Sequence, residues 1–178
     1  MAIKVACACG KKLSVSKVTF DEKNPGKPVV GVNFQTSKVT DVGLEHLKGM
    51  RNLQYLLLGG TKITDAGLEH LKGLTSLNRL TLSKTNVTDA GLEDLKEMVS
   101  LKSLNLSGTK VTDAGLEHLK DVTSLQSLHL SLTQVTDAGL EPLKGMTSLK
   151  YLYLSRTSVT AAGVKELQSA LPKCKFIK

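Results

Sequence analysis

Two spacings of apolar residues alternate along most of the chain. In LNRLTLSKTNVTDAGLEDLKEM, residues 77–98, Leu77, Leu80 and Leu82 form L-x-x-L-x-L, and Leu92 and Leu95 follow within T-D-A-G-L-x-x-L. Leu80 and Leu82 stand as on one face of a strand, while Leu92 and Leu95 stand as on one face of a helix. A change of period inside so short a stretch predicts a strand, a turn, a short helix and a return loop. The same pattern places strand starts near Val29, Leu53, Leu77, Leu101, Leu125 and Leu149. Within the second unit, Leu53, Leu56, Leu58, Ile63, Leu68, Leu71 and Leu74 are the expected core.

The pattern is periodic. Aspartate recurs at Asp41, Asp65, Asp89, Asp113 and Asp137, each step being 24 residues, and Ala161 takes the sixth place. One such unit cannot bury its apolar residues alone, whereas stacked copies turn each leucine into a column of a continuous core. The expected organisation is an N-terminal cap over residues 1–28, six repeats over 29–170 and a closing strand over 171–178. KVTF, DEKNPGKP and VVGVNF read as a strand, a turn-rich loop and the first repeat strand. At the far end, Leu171-x-x-Cys174-x-Phe176 mimics L-x-x-L-x-L and predicts a seventh strand.

L-x-x-L-x-L-x-x-T-x-[VI]-T-D-A-G-L resembles the leucine-rich repeats over about residues 29–167. The T-D-x-G-L segment is similar to the cysteine-containing subclass of F-box proteins and to the short-repeat arrays of many bacterial proteins. The resemblance implies an α/β fold: a right-handed solenoid with a parallel sheet on the concave face and short helices on the convex face. No F-box is recognisable, so recruitment of ubiquitination substrates is not implied. One departure is systematic. Where the family has Asn or Cys, this chain has Ser37, Thr61, Thr85, Thr109, Thr133 and Thr157. Their hydroxyls are expected to satisfy backbone groups in the turns of adjacent coils.

Each T-D pair reads as a helix cap, with Asp in the first turn favouring the positive helix end. An unvarying glycine follows (Gly43, Gly67, Gly91, Gly115, Gly139, Gly163), suited to close approach of helix and strand. Gly73 and Gly145 read as helix stops, and Pro142 should shorten or distort the fifth helix.

Charge refines the picture. The net +8 divides unevenly: residues 1–40 hold seven lysines against Asp21 and Glu22, residues 165–178 hold four lysines against Glu166, and residues 41–164 balance at thirteen each. The helix side shows repeated pairs instead of a basic stripe (Glu45/Lys48, Glu69/Lys72, Glu93/Lys96, Glu117/Lys120, Glu141/Lys144), which argues against nucleic acid. Lysine-rich ends argue against end-to-end stacking and point to a monomer. Cys7, Cys9 and Cys174 are too few for a disulfide framework, and ACACGKKLSV resembles one knuckle of a zinc ribbon without its second, so no zinc or other cofactor is expected. With no signal-like or membrane-spanning run, the expected location is cytoplasmic.

Candidate chemistry comes last. His46, His70 and His118, with Asp94, form a polar column on the helix side. On the concave face, alternation places Tyr55 and Leu57, Arg79 and Thr81, Ser103 and Asn105, Ser127 and His129, and Tyr151 and Tyr153, with Arg156 nearby. The middle of that face reads as small, hydroxylic and neutral, with Tyr and Arg, the residue types of binding hot spots, clustered at both ends. A hydrolase built on His129 and a neighbouring serine lacks an orienting carboxylate column and an oxyanion motif. The expected function is a non-enzymatic module binding a protein partner on the concave face. A purely structural scaffold, or a piece of a longer array, is the alternative.

Overall fold

The structure, a computed structural model, describes residues 17–178. Cys7, Cys9 and most of the expected N-terminal cap lie outside the described residues. One eight-stranded sheet runs in chain order: β1 (Lys17–Phe20), β2 (Val29–Asn33), β3 (Tyr55–Leu57), β4 (Arg79–Thr81), β5 (Ser103–Asn105), β6 (Ser127–His129), β7 (Tyr151–Tyr153) and β8 (Lys175–Ile177). β1 is antiparallel to β2, and every later neighbour is parallel. The pairing register equals the sequence period, so Leu56, Leu80, Leu104, Leu128, Leu152 and Phe176 lie in one row. The α/β solenoid read from the repeat is the fold observed. Its core is the stack of these rows, almost wholly aliphatic, with Phe34 standing where later coils have leucine.

β2 begins at Val29, as the apolar pattern predicts, while β3 to β7 each begin two residues later than it suggests. β3 begins at Tyr55 and not at Leu53, because the Leu53 N–H donates to the Met50 carbonyl and closes a turn. Opposite the sheet, helical segments begin at each Asp: α1 (Asp41–Leu44), α2 (Asp65–Leu68), α3 (Asp89–Leu92) and α4 (Asp113–Glu117), the first three running on into a 3-10 turn. The fifth, Ala138–Gly145, is a 3-10 helix throughout. Pro142 has no N–H for an α-type bond, so the segment is distorted as expected, although not shortened. The last, α5 (Ala161–Ala170), is regular. Gly73 does stop its helix with a left-handed φ of 81°. Gly145 also ends its helical run, as the final residue of the 3-10 segment, but it is not among the residues of positive φ.

The threonine column acts within each coil, not between coils. Thr61, Thr85, Thr109, Thr133 and Thr157 each donate their hydroxyl to the leucine carbonyl three residues back, at 2.6–2.7 Å. Ser37 instead accepts the Val39 N–H. Thr109→Val keeps the shape and deletes the donor. Because the Leu106 carbonyl retains the Thr109 N–H at 3.2 Å, the cost should be at the lower end for a lost hydrogen bond, about 1 kcal/mol. A urea midpoint equal to that of the parent would show that the hydroxyl contributes nothing.

The T-D-x-G-L segment holds neighbouring coils together. The Asp41 carboxylate reaches across to the next coil, where the Thr64 N–H (2.8 Å) and hydroxyl (2.6 Å) both donate to it. The arrangement recurs from Asp65 to Thr88, Asp89 to Thr112, Asp113 to Thr136 and Asp137 to Thr160. The aspartate therefore caps the following coil instead of its own helix. Its Oδ1 occupies the space where a β-carbon of the next glycine would be: on Gly67, Gly91, Gly115, Gly139 or Gly163 that carbon would overlap the carboxylate. The Asp137 carboxyl, held by these two donors from Thr160, sits below the usual carboxylate range.

Candidate functional site

On the outer face of the sheet, a broad depression of about 630 Å³ spans β3 to β7. Tyr55, Arg79, Thr81, Ser103, Asn105, Ser127, His129 and Tyr151 line it, which brings eight of the sequence-selected residues together. Leu57 lies beside β1 and β2, in a smaller adjoining hollow that shares Tyr55 and Arg79 and adds Lys17, Thr19 and Asn33. Arg156 is beyond the end of β7, in a turn with left-handed φ. Tyr153 lies beneath the His129 ring, stacked at a centroid distance of 3.9 Å and an interplanar angle of 5°.

The depression is not neutral. Lys102 and Lys150 line it as well, with Asn78 and Gln126. Each is the first variable residue of L-x-x-L-x-L, immediately before a strand. Counting only alternate strand positions excludes them. The Arg79 guanidinium lies over the Tyr55 ring at 6.0 Å, within cation–π range. The thirteen acidic residues between 41 and 164 all stand in or beside the helical segments, and none lines this depression.

Ser127 Oγ and His129 Nε2 are 3.1 Å apart. Partial burial holds the His129 pKa below its ordinary value, which favours the neutral ring. Covalent catalysis by serine needs a base held by a third polar group and donors for an oxyanion. His129 is instead held by the hydroxyl on one edge and a tyrosine ring on one face, an arrangement that rigidifies the surface.

The helix side carries ion pairs within and between coils. Glu93–Lys96 and Glu117–Lys120 close at 3.4 and 3.5 Å, and Glu141 also meets Lys144. Lys72 reaches across coils to Asp94 at 2.8 Å, which raises the lysine pKa, and Lys144 also binds Glu166 at 2.7 Å. Exposed pairs of this kind add little to stability, because water screens the charges. The histidine column does not assemble a metal centre: Asp94 is taken by Lys72, and the described residues contain no group of three metal-binding side chains. Among the described residues, no helix is long and apolar enough to cross a membrane.

Comparison with known proteins agrees with this architecture. The leucine rich repeat family profile matches residues 51–111 and 99–159. No curated protein sequence matches the chain. Among solved structures, an internalin (inlF) from Listeria monocytogenes superposes with a TM-score of 0.68 at 26% identity, over 83% of this chain and 40% of its own. An internalin C2 (inlC2) from the same organism superposes with a TM-score of 0.63 at 23% identity, over 83% of this chain and 70% of its own. The chain thus spans less than half the length of the first of these internalins.

Proposed function

Because the chain belongs to the leucine-rich repeat family, whose members generally mediate protein–protein interaction, we propose that it is a non-enzymatic binding module whose sheet face receives a protein partner. The observation that carries this reading is the asymmetry of the two sides. The sheet face gathers exposed Tyr55 and Tyr151 (39% and 41% accessible) around Arg79 and a floor of hydroxyl and amide groups. Tyrosine and arginine offer large contact area for little lost freedom, and this is where binding energy concentrates. On the helix side, Lys72, Lys96, Lys120 and Lys144 are each already paired with an acid. The part that Tyr153 plays is to fix His129, while Leu57 and Arg156 flank the site at its margins.

Tyr55, Arg79 and Tyr151 contribute no buried side chain to the core, so alanine at each should leave the melting temperature unchanged. Each should weaken the partner complex, by about 2 kcal/mol at a true hot spot. A pull-down from host lysate compares the parent, a Tyr55→Ala/Tyr151→Ala pair and a Glu69→Lys/Lys120→Glu pair on the helix side. Loss of the captured protein in the first pair alone is the expected result. Loss in the helix-side pair alone would put the site on the opposite side of the solenoid.

A further inference from the structure

We propose that the occupant of the sheet face is an acidic, extended polypeptide segment, its carboxylates taken by Arg79, Lys102 and Lys150. This rests on the sheet-face reading above and adds the chemistry of the partner. The three cations line one depression that no carboxylate lines, so their charge is not cancelled locally. They belong to β4 and to the approaches of β5 and β7. With strands about 4.8 Å apart, the cations are spread over roughly 15 Å across the sheet, the length of about five extended residues. The groups beside them suit a peptide backbone: the amides of Asn78, next to Arg79, and of Gln126, in the coil between Lys102 and Lys150, can each donate and accept, as a main chain requires. The acids on the helix side make the contrast sharper, since an anionic chain approaching the molecule is drawn to one face and repelled by the other.

The same face is poorly built for single-stranded nucleic acid, whose binding sites offer open aromatic rings on which bases stack. Two of the three tyrosines on the sheet already have a partner over the ring: Arg79 over Tyr55, and His129 against Tyr153. Three cations are also few for a backbone that carries a charge at every nucleotide.

The test is fluorescence anisotropy with fluorescein-labelled octaglutamate at low ionic strength, beside a labelled octathymidylate of equal length. Three proteins are compared: the parent, Lys102→Gln/Lys150→Gln, and Lys48→Gln/Lys120→Gln on the helix side. The two variants carry the same net charge, so non-specific attraction changes equally in both. The expected result is saturable octaglutamate binding that weakens about tenfold in the sheet-face variant, stays near parental in the helix-side variant and fades with added salt. Equal weakening in both variants, or groove-dependent preference for octathymidylate, would overturn the proposal. If octaglutamate fails to bind while Tyr55→Ala/Tyr151→Ala still loses its lysate partner, the acidic class is wrong and the sheet-face site stands.

Discussion

Gly115→Ala is expected to lower the free energy of unfolding by about 2–4 kcal/mol, far more than the roughly 1 kcal/mol that a helix glycine should gain from alanine propensity. The added methyl has no vacant space, because it would overlap Asp89 Oδ1 and crowd Leu92. To admit it, the carboxylate must leave the Thr112 N–H and hydroxyl that it accepts at 2.7 and 2.6 Å. Hydrogen bonds to a charged group are worth about 1.5–3 kcal/mol. Asp89→Ala alone should therefore cost about 2–3 kcal/mol by the same loss. The decisive measurement is the double variant in urea. With the carboxylate gone the methyl fits, so Asp89→Ala/Gly115→Ala should be no less stable than Asp89→Ala within about 1 kcal/mol. Simple addition of the two losses would mean that the glycine serves the helix itself and not the contact between coils.

Phe34→Ala is expected to cost about 3–5 kcal/mol, the range for removing a fully buried aromatic side chain. Phe34 is completely inaccessible and lies in the first coil, at the sequence position of Leu58, Leu82, Leu106, Leu130 and Leu154. Phe34→Leu supplies the side chain the other coils use, and should cost less than about 1.5 kcal/mol if the coils around it can close up. Because each coil touches only its neighbours, the damage should stay local. Hydrogen exchange ought to rise at the amides of β2 and β3 and remain near parental at β6 and β7. Uniform loss of protection along the chain would show that the solenoid unfolds as one unit.

The parts of the fold that apolar spacing can report were legible: the coil length, the leucine columns, the parallel order and the last strand at Lys175–Ile177. Leu53, Leu77 and Leu101 looked like strand starts because burial alone does not separate a strand residue from a buried turn residue. The role of the aspartates was misread for a physical reason. Helix capping is a local rule, and the true partner lies 23 residues ahead. A signal was present nonetheless. Asp is found in every coil that has another after it with a threonine to hold, and the last coil, with none, has Ala161. In the site, alternation found the tyrosines, Arg79 and His129. It passed over Lys102 and Lys150, which enter the face from the preceding turn, and so the depression read as neutral. The stacking of His129 on Tyr153 follows from the one-strand offset of Ser127 to Tyr151 and His129 to Tyr153. That offset is implicit in the period, but ring orientation is not.

The contact between coils has a consequence for how such a chain can change length. Asp, Thr and Gly meet across a fixed interval, so the interface between coils three and four is chemically the same as that between coils four and five. Removal of residues 101–124 in frame would set Asp89 against Thr136 and Leu80 against Leu128, pairs of the kinds already made. Gain or loss of one whole 24-residue coil would therefore yield a chain that meets the same steric demands as the parent. Copy number is then a heritable variable almost independent of foldability, and it sets how many rows of side chains the sheet offers.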